Sequence, residues 1–437
     1  MSARGGAPDK PAAGYDVVVI GGGAIGLACA WKAAAKGLSV ALVEPEPGRG
    51  SSWAAAGMLA PVTEAYFGEE ALLALNLASA RRWPSFAEEV EADSGASVGM
   101  RTCGALVVAG DDGDRAWAQN LYSFQHDLGL DVEWLTGSRA RKLEPNLAPG
   151  IRGALWAPGD HQVHTRRFIE ALMKAAVARG VTTYDQSADS ILTDGSRSNP
   201  VAYTTRTKDS TGRLAELDIQ EAGRVRGVTL TGGVTLATDR VVLAAGTWSA
   251  SIGGLPAGAV PPVRPIKGQI LRLKGDPARP LMSRTVRGMV RGSFVYLVPR
   301  EDGTVVLGAT SEDKGFDTTV TTGAVYQLLR DSQRLMPATS ELELIEARSG
   351  LRPASPDNAP LVGPSHLAGL VLATGHYRHG ILLTPLTADA ISAYLTEGEV
   401  PGEVAPFTPL RFEPDANRHV DPILPGAGTS LPGAGRP

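Results

Sequence analysis

The stretch ATGHYRHGILLTP, residues 373–385, interrupts an apolar run with one permanent cation, Arg378, and two groups able to become cationic, His376 and His379. An ordinary turn is built from Asn, Asp, Ser, Gly or Pro. Here Tyr377 joins the charged set, and Gly375 and Gly380 on either side leave room for a ligand to approach the backbone closely. A second stretch that can do chemistry is YDVVVIGGGAIGLACAWKAAAKGLSVALVEPE, residues 15–46. Gly21, Gly23 and Gly26 form a G-x-G-x-x-G between a buried strand at 17–20 and a helix that starts near Ala24 and Ile25 and stops near Gly37. Gly21 permits the tight turn, Gly23 the approach of backbone to a pyrophosphate, and Gly26 close packing of helix on sheet. The helix N-terminus offers free N–H groups to phosphate. A second strand at 39–43 closes with Glu44, which can accept ribose hydroxyls and would repel a 2′-phosphate, so NADP is disfavoured. The motif does not separate FAD from NAD.

The segment SSWAAAGMLAP at 51–61 follows, where Ser51, Ser52, Ala56, Gly57 and Met58 form a run of small side chains and backbone donors that could lie against a flat ring. Beyond it, helical spacing of apolar residues predicts helices over 69–92, 115–128, 165–180 and 324–335. Strands are predicted at 101–109, 132–135, 342–348 and in 240–249, where the strand reaches a Gly turn and returns to the nucleotide-binding sheet, with a loop at 154–164. Alternation through 263–310 predicts antiparallel strands turning at Gly275 and at Asp302-Gly303. Residues 185–236 suit a small antiparallel meander with a loose loop at 196–210. Met1 to Gly14 and the Pro- and Gly-rich 401–437 read as tails, the latter extended or partly disordered.

With 437 residues, two domains are the natural expectation. A hydrophobic content of 43%, a charged content of 20% and a formal charge of -4 describe a globular protein of ordinary composition with no basic stripe, which excludes a nucleic-acid footprint. The two cysteines, Cys29 and Cys103, allow no disulfide framework or metal spacing, and suit a reducing cytoplasm. No apolar run approaches the roughly 18 residues of a membrane span. Three histidines near the C-terminus, at 366, 376 and 379, are not ordered as metal ligands.

Together these motifs resemble the FAD-dependent amine and amino-acid oxidases of the D-amino-acid oxidase superfamily, and within it the glycine oxidases of the thiamin pathway. Further residues carrying the resemblance are QVHT (162–165), LAAGTWS (243–249), RPIKGQ (264–269), YLVPR (296–300), VLGAT (306–310) and SGLRPASPDNAPLVG (349–363). It covers about residues 14–395. The resemblance implies an α/β fold: a Rossmann-like FAD-binding domain of the glutathione-reductase type from 14–65, 151–260 and 345–398, and an α+β substrate domain with an antiparallel sheet from 66–150 and 261–344.

It also implies that Arg352 pairs two-pronged with a substrate carboxylate, that Tyr296 adds a hydrogen bond to it, and that Arg378 stands at the active-site edge. A guanidinium presents parallel donors matched to a carboxylate at any working pH. By the same resemblance, Val163 pairs with adenine through its backbone, Ala245, Gly246 and Trp248 border the cofactor, and His376, Tyr377 and His379 support it. Gly380, Ile381 and Leu382 present N–H groups to the pyrimidine edge of the flavin. The implied reaction is hydride loss from the α-carbon of glycine, sarcosine or a small D-amino acid, with water hydrolysing the imine and O2 giving peroxide. FAD is expected to be non-covalent, because no cysteine lies beyond position 103. A homo-oligomer, dimer or tetramer, is expected too. Phe294, where glycine oxidases carry a histidine, and Ser311 are departures that bear on substrate preference. Alternatives are a D-amino-acid dehydrogenase that reduces a quinone, a sarcosine-oxidase-like amine oxidase and a non-catalytic dinucleotide sensor.

Overall fold

Four consecutive apolar residues with no polar alternation need cover on both faces. In the computed structural model, which describes residues 13–194, 202–208, 214–220 and 223–412, these residues, Val17–Ile20, form an inner strand of a six-stranded sheet. The order across it is Leu361–Pro364, Leu370–Thr374, Val241–Leu243, Val17–Ile20, Val40–Val43 and Thr182–Tyr184. All neighbours run parallel except the outer pair, Leu361–Pro364 with Leu370–Thr374. Helices Ala24–Ala35, Glu70–Ser94, Thr165–Ala178 and Thr384–Glu397 contribute to the core on one face. There Trp83 and Phe168 meet edge-on at 5.0 Å and Trp31 and Phe86 at 5.5 Å, the geometry aromatic quadrupoles favour. The other face packs Val18, Ile20 and Val43 against Val225, Val228 and Leu236 of a small sheet.

The second large sheet has eight strands: Glu343–Ala354, Arg264–Lys274, Thr304–Gly308, Ser293–Pro299, Thr285–Val290, Ala105–Ala109, Gly153–Ala157 and Glu133–Leu135. Only Thr285–Val290 and Ala105–Ala109 are parallel neighbours. Its core, with Leu106, Val286, Leu297, Leu307 and Leu335, includes helix Thr322–Leu335. The mixture of a parallel and a largely antiparallel sheet is the α/β architecture read from the motifs.

Several local expectations change. Gly153–Ala157 is a strand, not part of a loop, because Ala154, Leu155 and Ala157 are buried against its sheet neighbours. That strand and Glu343–Ala354 hydrogen-bond into the eight-stranded sheet, so we propose domain boundaries that follow the sheets rather than breaks at 151 and 345. Part of the loose loop at 196–210 is the strand Ala202–Lys208, paired with Leu214–Gln220; the rest of it, 196–201 and 209–210, lies outside the described residues. Residues 401–412 are packed, not extended: Phe407 and Leu410 are buried and Arg411 grips Asp357 with Nε at 2.8 Å. Residues 413–437 and most of the N-terminal tail, 1–12, lie outside the description.

Candidate active site

The C-terminal ends of the strands Val17–Ile20, Val241–Leu243 and Leu370–Thr374 lie side by side, so Gly21, Ala244 to Gly246 and Thr374 to His376 open into one crevice, the usual ligand position for a parallel sheet. The crevice is a cavity of about 790 Å³ that continues onto the antiparallel sheet. At its nucleotide end stand Gly21, Gly23, Ala24, Ile25, Glu44, Ser51 and Ser52. Gly21 has φ +105° and a Cβ there would lie 2.6 Å from the Ala244 carbonyl carbon, so no other residue keeps this turn. Ser52 Oγ accepts from the Ala24 N–H at 3.0 Å, and Ser51 Oγ donates to the Leu351 carbonyl. Glu44 accepts from the Gly22 N–H at 2.8 Å and from the Glu46 N–H at 3.2 Å, which leaves lone pairs of its carboxylate for a ribose. A dinucleotide fits this donor set: a helix N-terminus, a turn of three glycines that carry no side chain of their own, and an acid at the second strand.

The wall between the two ends is Ala54 to Met58 with Ala245, Gly246 and Trp248. The buried Arg300 fixes this wall: one guanidinium nitrogen donates to the Ala56 carbonyl, the other to Gln162 Oε1 at 2.6 Å and the Val163 carbonyl at 3.0 Å. Burial, reinforced by Arg272 and Arg101, draws the Arg300 pKa down to about 9. Trp248 lines the cavity yet remains half exposed, with Phe316 5.9 Å from its ring.

At the far end Tyr296 and Arg352 come together. Each stands over a glycine. A Cβ on Gly268 would lie 2.5 Å from Arg352 Nη1, and one on Gly308 would lie 2.5 Å from Tyr296 Cζ. Arg352 Nη1 donates to the Thr310 carbonyl at 3.1 Å and has no carboxylate partner among the described residues. Burial raises the Tyr296 pKa against the opposing pull of Arg352, so the phenol stays a donor.

The stretch 373–385 closes the site. Tyr377, at φ +47°, starts a short turn over Tyr377–His379, and the helix Thr384–Glu397 follows. His376, Tyr377, Arg378, Gly380 and Ile381 line the cavity. His376 Nε2 meets Thr387 Oγ1 at 2.9 Å, and burial lowers its pKa to about 3, so it is neutral. Arg378 is ion-paired with Glu69 and lies 4.8 Å over the Tyr66 ring.

Some expected residues are elsewhere. Val163 is buried and does not line the cavity; its N–H donates to the Gly57 carbonyl at 2.8 Å and its carbonyl accepts from the buried Arg300, so its N–H is not free for adenine. Ser187 and Ala188 border the cavity instead. His379 and Leu382 face inward: His379 Nδ1 lies 3.4 Å from Glu64, and the Leu382 carbonyl accepts from Ser79 and Trp83. Gly26 is a packing glycine, its would-be Cβ 2.9 Å from the Gly21 carbonyl carbon. Phe294 packs edge-on with Trp117 at 5.3 Å, Ser311 is exposed, and neither lines the cavity. Glu64, Gly268 and Arg300 were not singled out. Gly268 lies within RPIKGQ, but nothing in that stretch marks a close approach, and a lone Glu or Arg carries no signal until the fold buries it.

A family model described as FAD dependent oxidoreductase (DAO) matches residues 16–394. The glycine oxidase of Geobacillus kaustophilus is 32% identical over 400 residues, covering 91% of this chain and 97% of that protein. A crystal structure of glycine oxidase from the same organism superposes with a TM-score of 0.77 at 31% identity, covering 92% of this chain and 100% of that one. The bifunctional protein ThiO/ThiG of Trichormus variabilis is 31% identical over 411 residues, 92% of this chain, but the chain spans only 56% of its length. The hydrogen cyanide synthase subunit HcnC of Pseudomonas aeruginosa is 28% identical, covering 92% of this chain and 97% of that protein. No described helix is long and apolar enough to cross a membrane. From the match across residues 16–394, together with the glycine turn, Glu44 and the cavity they open into, the chain belongs to the FAD dependent oxidoreductase family.

Proposed function

We propose that the protein is an FAD-dependent amino-acid oxidase that converts glycine, and with it sarcosine and small D-amino acids, to a 2-oxo acid, ammonia and hydrogen peroxide. The observation that carries this reading is Arg352, a cavity-lining guanidinium packed directly on Gly268, with a backbone carbonyl and no carboxylate as its hydrogen-bond partner among the described residues. Such a group is ready for a carboxylate, which it can bind with two parallel N–H donors. Tyr296, held protonated by burial, adds a third hydrogen bond. Together they orient the α-carbon, while the close wall at Ala54 to Gly57 limits water around it. Bound FAD supplies the acceptor for the hydride leaving that carbon. Arg378, anchored by Glu69, holds a positive charge at the cavity edge.

Non-covalent FAD is favoured because neither Cys29 nor Cys103 lines the cavity; the first is buried in its helix and the second accepts from Gln162 at 3.4 Å. A homo-oligomer in the cytoplasm remains the proposed setting, and likeness to the bifunctional ThiO/ThiG protein supports delivery of the imine to thiazole formation for thiamin. An anaerobic visible spectrum before and after glycine, then air and a peroxide assay, tests the reading. Bleaching followed by recolouring with peroxide supports it; a yellow protein that no small amine bleaches refutes it. Likeness to a hydrogen cyanide synthase subunit favours one second reading, oxidation of the amino acid with release of hydrogen cyanide. Bleaching by glycine with cyanide formation is its signature.

A further inference from the structure

Glu44, Glu46 and Glu64 are the acidic residues lining the cavity, and the first two stand at its nucleotide end. Glu64 is therefore the lining anion of the substrate end. Its position is built, not incidental. The fully buried Asp160 accepts from the Val62 N–H at 3.0 Å, from the Thr63 N–H at 2.8 Å and from the Thr63 hydroxyl at 2.6 Å. Gln125 donates to the Val62 carbonyl at 2.7 Å from the other side. A backbone clamped at 62 and 63 projects the next side chain into the cavity. Glu64 Oε1 then lies 3.1 Å from Arg287 Nη2, and both side chains are only 12% exposed. Arg287 is the cross-strand partner of Tyr296, so the two share a face of the sheet. The Glu64 charge is felt at the Tyr296 phenol, which it helps to raise. His379, on the other side of Glu64, is neutral because burial holds its pKa well below the usual value, so Arg287 is the cation that Glu64 faces directly.

The charges at this end form pairs, Arg378 with Glu69 and Arg287 with Glu64, and leave Arg352 over. Resting on the reading of Arg352 as a carboxylate site, we propose that Glu64 is a specificity-determining residue that accepts hydrogen bonds from the amino group of a zwitterionic substrate and disfavours substrates with a second acid group. A bound amino acid would bring its negative end to Arg352 and its positive end to Glu64. A carboxylate accepts from an amino group whether or not the amine carries its extra proton. Against a second carboxylate in the substrate, the same charge is repulsive.

The test compares Glu64→Gln holoenzyme with wild type, using glycine and acetate as probes, since acetate keeps the carboxylate, lacks the amine and fits wherever glycine fits. The apparent KM for glycine should rise about tenfold or more, as a charge-assisted hydrogen bond becomes a neutral one. The competitive Ki for acetate should stay the same or tighten, and Glu64→Asp should recover part of the glycine loss. Equal changes for both probes, or no change in either, overturn the proposal. Where glycine shifts the flavin spectrum of wild type but neither it nor another small amine bleaches it, the oxidase reading fails, and the Kd read from that shift takes the place of KM. Glycine with no effect on the wild-type spectrum overturns both.

Discussion

Replacing Gly268 with Ala displaces Arg352 without altering it. The strand Arg264–Lys274 is ordinary extended backbone, so the new methyl group costs no backbone strain. It would, however, lie 2.5 Å from Arg352 Nη1 and 2.6 Å from Cζ, where ordinary contact begins near 3.4 Å. The guanidinium must yield by about 0.9 Å, enough to break at least one of two parallel hydrogen bonds to a carboxylate. A hydrogen bond to a charged group is worth about 1.5–3 kcal/mol. At about 1.4 kcal/mol per tenfold, the apparent KM for glycine should rise roughly 10- to 150-fold. Bound flavin, read from the visible spectrum, should be unchanged, because Gly268 is at the substrate end of the cavity. The effect must also vanish when Arg352 is absent, so Gly268→Ala in an Arg352→Ala background should add nothing. A Gly268→Ala enzyme with the wild-type KM, or the same loss with and without Arg352, refutes the assignment of Arg352 to the carboxylate.

Arg352→Ala alone should raise the glycine KM by about 10² to 10⁴, two charge-assisted bonds being lost, with FAD content retained; an unchanged KM in steady-state peroxide assays removes Arg352 from the site. His376 is neutral in the fold with a pKa of about 3 but titrates near 6.5 when unfolded, so the unfolded chain binds the extra proton. Stability should therefore fall as pH drops from 6.5 towards 3, by about 1.4 kcal/mol per unit from this group, and His376→Gln should flatten that part of a Tm-against-pH curve. Parallel curves for the two proteins would show that His376 is not the buried neutral group. Asp160→Ala leaves the Val62 and Thr63 N–H groups without their acceptor at about 1–3 kcal/mol each, so Tm should fall by several degrees; a wild-type Tm would mean that the clamp contributes nothing.

The nucleotide half was legible because its physics is local. Strand, glycine turn, helix and acid are consecutive within residues 15–46, and the structure gives Gly21 and Gly26 the close backbone contacts that the motif's spacing implies. Arg352, Tyr296 and Arg378 were legible only through motif resemblance, since an Arg before Pro353 or a Tyr in a strand has no local signature. Val163 failed for a reason of the same kind. Its neighbour Gln162 pairs with Met58 and Arg101, and the buried Arg300, distant in sequence, takes up the Val163 carbonyl. Glu64 depends on contacts with Arg287 of the antiparallel sheet and with His379, and Gly268 on the neighbouring strand of its own sheet, none of which a window of sequence contains. The tail at 401–412 was misread because Pro and Gly content says nothing about Phe407 and Leu410, whose burial anchors it.

Two sheets that could have been separate modules are joined where the chemistry requires it. The strand Glu343–Ala354 carries Arg352 two residues before its end, and its last residue, Ala354, forms a backbone bridge with His376. His376 is in turn fixed to Thr387 on the helix Thr384–Glu397. A substrate carboxylate bound at Arg352, as proposed, would thus be tied, through a few covalent bonds, one bridge and one side-chain hydrogen bond, to the turn that lines the cavity at Arg378, Gly380 and Ile381. The neutrality of His376 follows from that position: a charged imidazolium would be buried between a strand end and a helix start with no carboxylate on it, at a cost that pushes its pKa to about 3. The polar stretch that interrupts the apolar run is then in large part a joint. Its glycines and left-handed Tyr377 let the chain turn between the parallel sheet and the helix, while His376 holds the antiparallel sheet, and with it the substrate end, in register.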